Sequence, residues 1–322
     1  MDFSEKIKVK AIQTQKSIKT AIRNFELFNK TELTNENIYD ILQSWINYND
    51  DKLNPKTIKL YFEHLKSYLY YKGFKLYQED IKQKLTFPKA FEEEKHPLKL
   101  EEIQQILETA PYKKKALYLL LLSSGLRIGE ACKLTKKDVY LTLKRPMIKV
   151  PAKITKTRRG RTTFISSEAW RFLQPIISKL NQDDYIFGTK QNSEDVLFNR
   201  YCAKVGLNQK YESGINQITL HSFRAYFITK VARYDENLSK ILAGQRGYLL
   251  QYDRLTEEEK LEHYLEFEKE LLIFDNTKLK HDLIKAKSEN ISIQVVNEKL
   301  DSLYKIVEDI TKEKFHLETN GQ

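Results

Sequence analysis

Five side chains in four separated stretches have the chemistry to act on a phosphate: Arg127 in "SGLRIGE", Lys156 in "AKITKTRRGRTTFIS", His221 and Arg224 in "LHSFRAYF", and Tyr252 in "AGQRGYLLQYDRLT". A guanidinium stays charged and presents its N–H groups in a planar fork that matches phosphate oxygens. An ammonium or imidazole carries protons to and from oxygen, and a phenol hydroxyl is a nucleophile. Taken singly, each has a plainer reading: a surface arginine, a solvated turn lysine, a histidine capping a helix, a packed tyrosine. A lone H-x-x-R recurs by chance. "LHSFRAYF" differs in setting two polar side chains into an apolar, aromatic stretch of helical character. Both are expected on its buried side, and what they would face there depends on whether residues elsewhere in the chain need the same partners.

The surrounding sequence supplies the elements that would position them. Residues 1–87 are expected to be helical. "NENIYDILQSWINYND" and "PKTIKLYFEHLKSYLYYKGF" repeat apolar residues at helical spacing, with Pro55 suited to a first turn and Gly73 to a C-terminal stop. The second carries Lys56, Lys59 and Lys66 beside Tyr and Phe, which suits a helix along a phosphate backbone or a solvated face. Residues 88–98, with Pro88 and Pro97 around a charge run, read as a linker. From residue 99, "KLEEIQQILETA" is an amphipathic helix, and "ALYLLLLSSGLRIGEACKLTKKDV" reads as two helices meeting at Ser123–Gly125. "MIKVPAKITKTRRGRTTFIS" alternates and is rich in β-branched residues, predicting a hairpin or three-strand element with a basic turn. Helices return from Ser167, closing a second domain over 99–274. In the tail, 275–322, Leu279, Ala286, Ile293, Leu300 and Val307 recur every seven residues, with Val296, Leu303 and Ile310 three positions behind members of that series. Asp282 and Glu289 occupy the earlier d positions, so the tail reads as a coiled coil or as an amphipathic helix on its own domain. The fold class is mainly α with a small β-sheet in the second domain.

In this order and spacing, Arg127, Lys156, His221, Arg224 and Tyr252 resemble the catalytic set of the tyrosine recombinases, the phage-type integrases. "GLRIGE" and "HSFR" are the most specific boxes, and the "HPL" of the linker extends the similarity. The "KTRRGRTTFIS" hairpin and the helical segment after Tyr252 look most like archaeal and archaeal-virus integrases. The tail lies outside the family's common pattern. The resemblance implies a helical core-binding domain that clamps DNA, a mixed α/β catalytic domain, and metal-free cleavage and rejoining of DNA through a 3′-phosphotyrosyl intermediate. It implies Tyr252 as nucleophile, Arg127 and Arg224 as the phosphate clamp, Lys156 as acid for the departing 5′-oxygen, and His221 as proton handler near the nucleophile. Lys153 competes with Lys156, and Tyr248 and Tyr264 compete with Tyr252, although Tyr264 lies in an amphipathic helix that would pack it. Gly244–Gln245 stands where the family has Gly-His; Gln245 donates a hydrogen bond but carries neither a proton nor positive charge. His263 is too distant along the chain to replace it. Glu130 is expected to support the site. The implied function is a site-specific recombinase, the integrase of a virus or integrative element, acting as a homo-tetramer on double-stranded DNA. A DNA-binding protein of weakened catalysis and a type IB topoisomerase are the alternatives.

Charge agrees with a polyanionic partner. The chain carries +11 at pH 7, and such an excess attracts nucleic acid. Residues 275–314 hold eight acidic and eight basic side chains, so the surplus lies in the first 274 residues. Lys56, Lys59, Lys66, Arg158, Arg159 and Arg161 are the expected DNA contacts. Hydrophobic content of 41% suffices for sizeable cores. No apolar run reaches membrane-span length, and the charged "MDFSEKIKVK" has no apolar h-region, so a cytoplasmic protein is expected. Cys132 and Cys202 are far apart and lack metal-ligand spacing; reduced thiols, no structural zinc and no cofactor are expected.

Overall fold

Apolar residues at helical spacing give the first part of the chain helices α1 (Phe3–Ile7), α2 (Ile12–Phe28), α3 (Ile38–Asp50), α4 (Pro55–Tyr71) and α5 (Gln78–Lys84). The computed structural model describes residues 3–90, 92–142, 144–245 and 255–274. These divide into two units at Glu94/Lys95, within the segment expected to be a linker. In the first unit, α4 starts as its sequence predicts: the Asn54 side chain accepts the Lys56 N–H (2.9 Å), and Pro55 fills the first helical position. Gly73 follows at φ +97°. Phe25, Leu42, Trp45, Ile58, Phe62 and Leu65 form the core of this unit. Phe87 packs edge-on to Phe62, with ring centroids 4.9 Å apart. His96 falls in the second unit. Its backbone N–H donates to the Tyr211 hydroxyl (2.6 Å), and its ring bonds Glu102 (2.9 Å).

The second unit is built on α6 (Leu100–Thr109), α7 (Tyr112–Ser124), α8 (Ile128–Ala131), β1 (Val139–Tyr140), β2 (Met147–Val150), β3 (Arg161–Phe164), α9 (Ser167–Ile177), α10 (Gln191–Lys204), α11 (Leu220–Ala232), α12 (Glu236–Ala243) and α13 (Glu257–Phe267). The strands form one antiparallel sheet in the order β1-β2-β3, with Val150 opposite Arg161 and Met147 opposite Phe164. Helix α7 is buried on all sides from Ala116 to Ser124 and packs between α9 and α11. A helix that is apolar all round belongs in a core. The last turn of any helix leaves carbonyls without intrahelical partners. Here three consecutive ones at the end of α7 are met from three elements. Ser123 O accepts from the Tyr264 hydroxyl (2.8 Å), Ser124 O from Thr163 Oγ1 (2.8 Å), and Gly125 O from Arg224 Nη1. The chain after α13 is tied back in the same way. Buried Glu268 accepts from Arg145 Nε (2.8 Å) and the Ser167 N–H (2.6 Å), and Glu168 accepts from the Ile273 N–H (2.8 Å). Both cysteines are free and buried, and burial pushes their thiols up, Cys132 to about 11 and Cys202 to about 12. Among the described residues no helix is long and apolar enough to cross a membrane. The heptad-patterned tail, 275–322, lies outside the described residues.

Gly125 closes α7 in the left-handed region (φ +62°), and a Cβ there would lie 2.3 Å from the Phe227 ring. Both the backbone conformation and the close approach require glycine. Gly125→Ala should therefore destabilise the protein by about 2–5 kcal/mol, the sum of left-handed strain and overpacking. A urea midpoint equal to that of the parent would show that neither constraint operates.

Candidate active site

Arg127 precedes α8, and Glu130, at the third helical position, reaches back to it. Glu130 Oε2 accepts the Arg127 N–H (3.0 Å), and Oε1 accepts Arg127 Nη1 (3.0 Å). The same carboxylate is only 2% exposed and also takes Arg161, through Nη2 to Oε2 (2.6 Å) and Nη1 to Oε1 (3.3 Å). Burial alone would raise the Glu130 pKa, but Arg161 and then Arg127 hold it below the usual carboxylate range. Arg224 lies on the buried face of α11, 2% exposed. Among the described residues, the Gly125 carbonyl is its one hydrogen-bond partner. Burial, with the charges of Arg127 and Arg161, lowers its pKa to about 9, so it is still charged at neutral pH. Two guanidinium groups thus pair with one carboxylate, and Arg224 lies within electrostatic reach of all three. Burying a surplus of like charge is unfavourable unless an anion completes the site, and guanidinium forks suit the oxygens of a phosphate.

The first turn of α11 corrects part of the sequence expectation. Thr219 is the N-cap residue, and its N–H donates to Ser222 Oγ (3.0 Å), so His221 does not cap the helix. Nor is His221 buried beside Arg224. It is exposed, one residue after Leu220 and on the other side of the helix from Phe223 and Phe227, where it lines a groove of about 780 Å³ along the outer face of α11. Crowding by protein atoms, then Arg224 and Arg127, lowers its pKa. The imidazole is therefore neutral near pH 7. In the β2–β3 turn, buried Thr155 is the organising side chain. Its Oγ1 lies 3.0 Å from the Ala152 and Arg159 carbonyls and accepts the Arg159 N–H (3.1 Å). This holds Arg158 at φ +53°, a left-handed conformation uncommon outside glycine. Lys153, Lys156, Arg158 and Arg159 are all exposed on this turn. Exposure does not separate Lys156 from Lys153.

The segment that carries these cations is similar to known proteins. Residues 96–243 match the phage integrase family. Over 168 residues the chain is 29% identical to tyrosine recombinase XerC of Rickettsia rickettsii (strain Sheila Smith), covering 50% of this chain and 53% of that protein. Over 87 residues it is 34% identical to tyrosine recombinase XerA of Thermococcus onnurineus (strain NA1), covering 26% of this chain and 29% of that protein. The chain thus spans about half the length of the first relative and less of the second. The Tn1549 transposon integrase in complex with circular intermediate DNA is 17% identical, with a TM-score of 0.57 over 81% of this chain and 96% of that one. A lambda integrase dimer bound to a COC' core site is 13% identical, with a TM-score of 0.56 over 79% and 96%. The fold is that of the tyrosine recombinases and integrases.

Within the integrase-like segment, Arg161 departs from expectation. It was grouped with the DNA-facing cations, yet its side chain is 7% exposed. Besides Glu130 it binds the Leu242 carbonyl through Nε (2.9 Å), one of the terminal carbonyls of α12. Its position in a basic run concealed this, because Arg161 lies on β3 opposite buried Val150 while Arg158 and Arg159 stay in the turn. Gly244 ends α12 at φ +65°, and a Cβ there would lie 2.7–2.9 Å from the Arg161 side chain. Gln245 follows, exposed, its N–H donated to the Lys240 carbonyl (2.9 Å). Tyr252 and Tyr248 lie outside the described residues. The ends of the chain that carries them are placed, however. Gln245 leaves from Arg161, and α13 begins where Glu257 accepts from Thr162 Oγ1 (3.0 Å) and pairs with Lys149 (2.9 Å). The third tyrosine, Tyr264, is fully buried against Ser123, and burial pushes its pKa well above the ordinary value. No substrate reaches it. His263 is half-exposed beside Glu266 on α13.

In the first unit, Lys56 and Lys59 are exposed, Lys56 with Glu92 at 4.0 Å. Lys66 is more committed. It is 26% exposed, paired with Glu63 (2.8 Å), with its ammonium 5.7 Å from the Phe62 ring centroid. Among the described residues, no group of three or more His, Cys, Asp or Glu is placed to hold a metal ion.

The cause of the His221 shift makes it a reporter. An anion seated between Arg127 and Arg224 offsets the charges that disfavour the imidazolium, so the His221 pKa should rise. By linkage the anion should bind more tightly as pH falls through that pKa. NMR titration of the His221 ring protons with and without inorganic phosphate tests this. An unmoved pKa at saturating phosphate would place the anion elsewhere.

Proposed function

We propose that this chain is a site-specific DNA recombinase that cleaves and rejoins strands through a 3′-phosphotyrosyl intermediate. The observation that carries the reading is the buried, charged Arg224 set with Arg127 and Arg161 about one carboxylate. That arrangement is incomplete without an anion. Arg127 and Arg224 hold the nonbridging oxygens of the scissile phosphate and stabilise the charge that builds in the transition state, often the largest single contribution to catalysis. The Tyr252 hydroxyl attacks phosphorus as the bond to the 5′-oxygen breaks. Lys156 gives that oxygen its proton, and His221, neutral and exposed at the clamp, takes the proton of the phenol. A 5′-hydroxyl later reverses these transfers on another strand. The reaction needs no metal ion, because the guanidinium groups supply the charge.

Lys56, Lys59, Lys66, Arg158 and Arg159 contact the DNA backbone in this reading, and the helical first unit clamps the duplex. Strand exchange takes four copies on paired attachment sites, which suits the integrase of a virus or integrative element inside the cell. Kinship to archaeal and archaeal-virus integrases belongs to the same proposal: one relative is from Thermococcus and another from Rickettsia. Gln245, standing where the family has histidine, favours a second reading in which the protein binds DNA and cleaves weakly.

A nicked suicide substrate, from which the freed strand diffuses away, distinguishes these readings. The parent should form a covalent adduct, with EDTA present or absent. Tyr252→Phe should form none while binding DNA as before, since only the hydroxyl is lost. Arg127→Ala and Arg224→Ala should each cleave about 10²–10³-fold more slowly, as when a single oxyanion donor is removed. Loss of the adduct in Tyr248→Phe instead would move the nucleophile, and full activity of either arginine variant would sink the clamp. Binding without adduct supports the weak-cleavage reading. Adduct and relaxation without recombinant product from two sites indicates a type IB topoisomerase.

A further inference from the structure

We propose that Arg161 is a positioning residue that joins the Arg127–Glu130 arm of the clamp to the end of α12, from which the chain runs to Tyr252. The inference rests on the recombinase reading. Arg161 is too enclosed to meet DNA, and all three nitrogens of its guanidinium are engaged inside the protein. Nη1 and Nη2 take Glu130 at 3.3 and 2.6 Å, and Nε takes the Leu242 carbonyl at 2.9 Å. A planar fork with donors on two edges can hold a carboxylate and a carbonyl in fixed relation. An ammonium, a single point of charge, cannot.

Two consequences follow for the clamp. Glu130 shared between two arginines draws less on either, so the charge of Arg127 is left for a phosphate while its direction is still fixed by the 3.0 Å bond to Oε1. The end of α12 is also fixed, because Gly244 has no Cβ to hold Arg161 away: one built there would lie 2.7 Å from Cδ and 2.9 Å from Nε and Nη1. The next strand residue, Thr162, holds Glu257 at the start of α13. Adjacent positions of β3 therefore hold the end of α12 and the start of α13, the described elements before and after the stretch that contains Tyr252. A shift at Arg161 would move Glu130, the partner of Arg127, and the end of α12 together.

The test is a double-mutant cycle across the Arg161–Gly244 contact. Arg161→Met risks unfolding, since it leaves Glu130 buried with one partner, so the cycle uses Arg161→Lys, which keeps the charge, and Gly244→Ala, which changes no charge. Thermal unfolding by circular dichroism confirms that each variant is folded. Each single variant should bind DNA as the parent does but cleave the suicide substrate on the order of tenfold more slowly, the scale of a small misplacement of reacting groups. The double variant should be no slower than the slower single variant, because both changes break one contact. Parental cleavage by either single variant, or losses that multiply in the double, would overturn the proposal. A parent that forms no adduct defeats the recombinase reading by itself. The same cycle is then read on the affinity of the clamp for inorganic phosphate, and the same two results decide.

Discussion

A single buried carboxylate, Glu130, governs the arrangement of the second unit's charged centre. Removing a carboxylate from water costs several kcal/mol unless its oxygens are fully bonded. Glu130 meets that demand with Arg127 and Arg161, one from its own short helix and one from a strand distant in sequence. The demand is mutual. Losing either arginine would leave a partly unpaired buried charge, with a typical penalty of about 3–5 kcal/mol. The pairing thus fixes the direction of Arg127, the approach of β3 to α8 and, through the second edge of Arg161, the end of α12.

Arg224 completes the centre by a different device. It comes from α11 and is held at the C-terminal end of α7, where unpaired carbonyls give a negative potential. Three neighbouring carbonyls there receive a tyrosine hydroxyl, a threonine hydroxyl and a guanidinium from three separate elements. An all-round apolar helix is a natural pillar for this role: its body is locked by packing, and only its last turn offers polar groups. The Gly125 turn lets the Phe227 ring of α11 come close enough for Arg224 to reach that turn. The positive centre is therefore assembled from helix ends and one strand, each placed by an apolar core.

The helices were legible because periodicity, Pro55, Gly73 and Gly125 are local signals. So was the β2–β3 hairpin, from alternation and β-branched residues. Glu130 was legible as a support from its spacing to Arg127. What failed was the sorting of polar residues by environment. In "KTRRGR" the turn cations and the buried strand cation look alike, and only the register of Arg161 against Val150 separates them. His221 and Arg224 are three residues apart, a spacing that usually shares a face, yet the boundary between core and groove runs between them. Long-range partners are equally silent in the sequence: Pro97 marks a break in helix, but nothing local shows that His96 bonds Tyr211, more than a hundred residues away, as well as Glu102.

The same charge balance gives Gln245 a physical meaning. Arg224 already has its pKa lowered by burial and by two neighbouring guanidinium groups, with Glu130 opposing them. Gln245 is one residue from Gly244, whose backbone lies against Arg161. A histidine there would bring a further group able to become cationic, disfavoured by the neighbouring guanidinium groups; at His221 burial, then Arg224 and Arg127, already lowers the imidazole pKa. A glutamine brings N–H donors with no charge to be disfavoured. Hydrogen bonds involving a charged donor are roughly twice as strong, so a glutamine would hold an anion less tightly than an imidazolium would. Its hold is independent of pH. The one titrating group beside Arg224 and Arg127 that the electrostatics single out is then His221, whose pKa is lowered by burial and by those two charges.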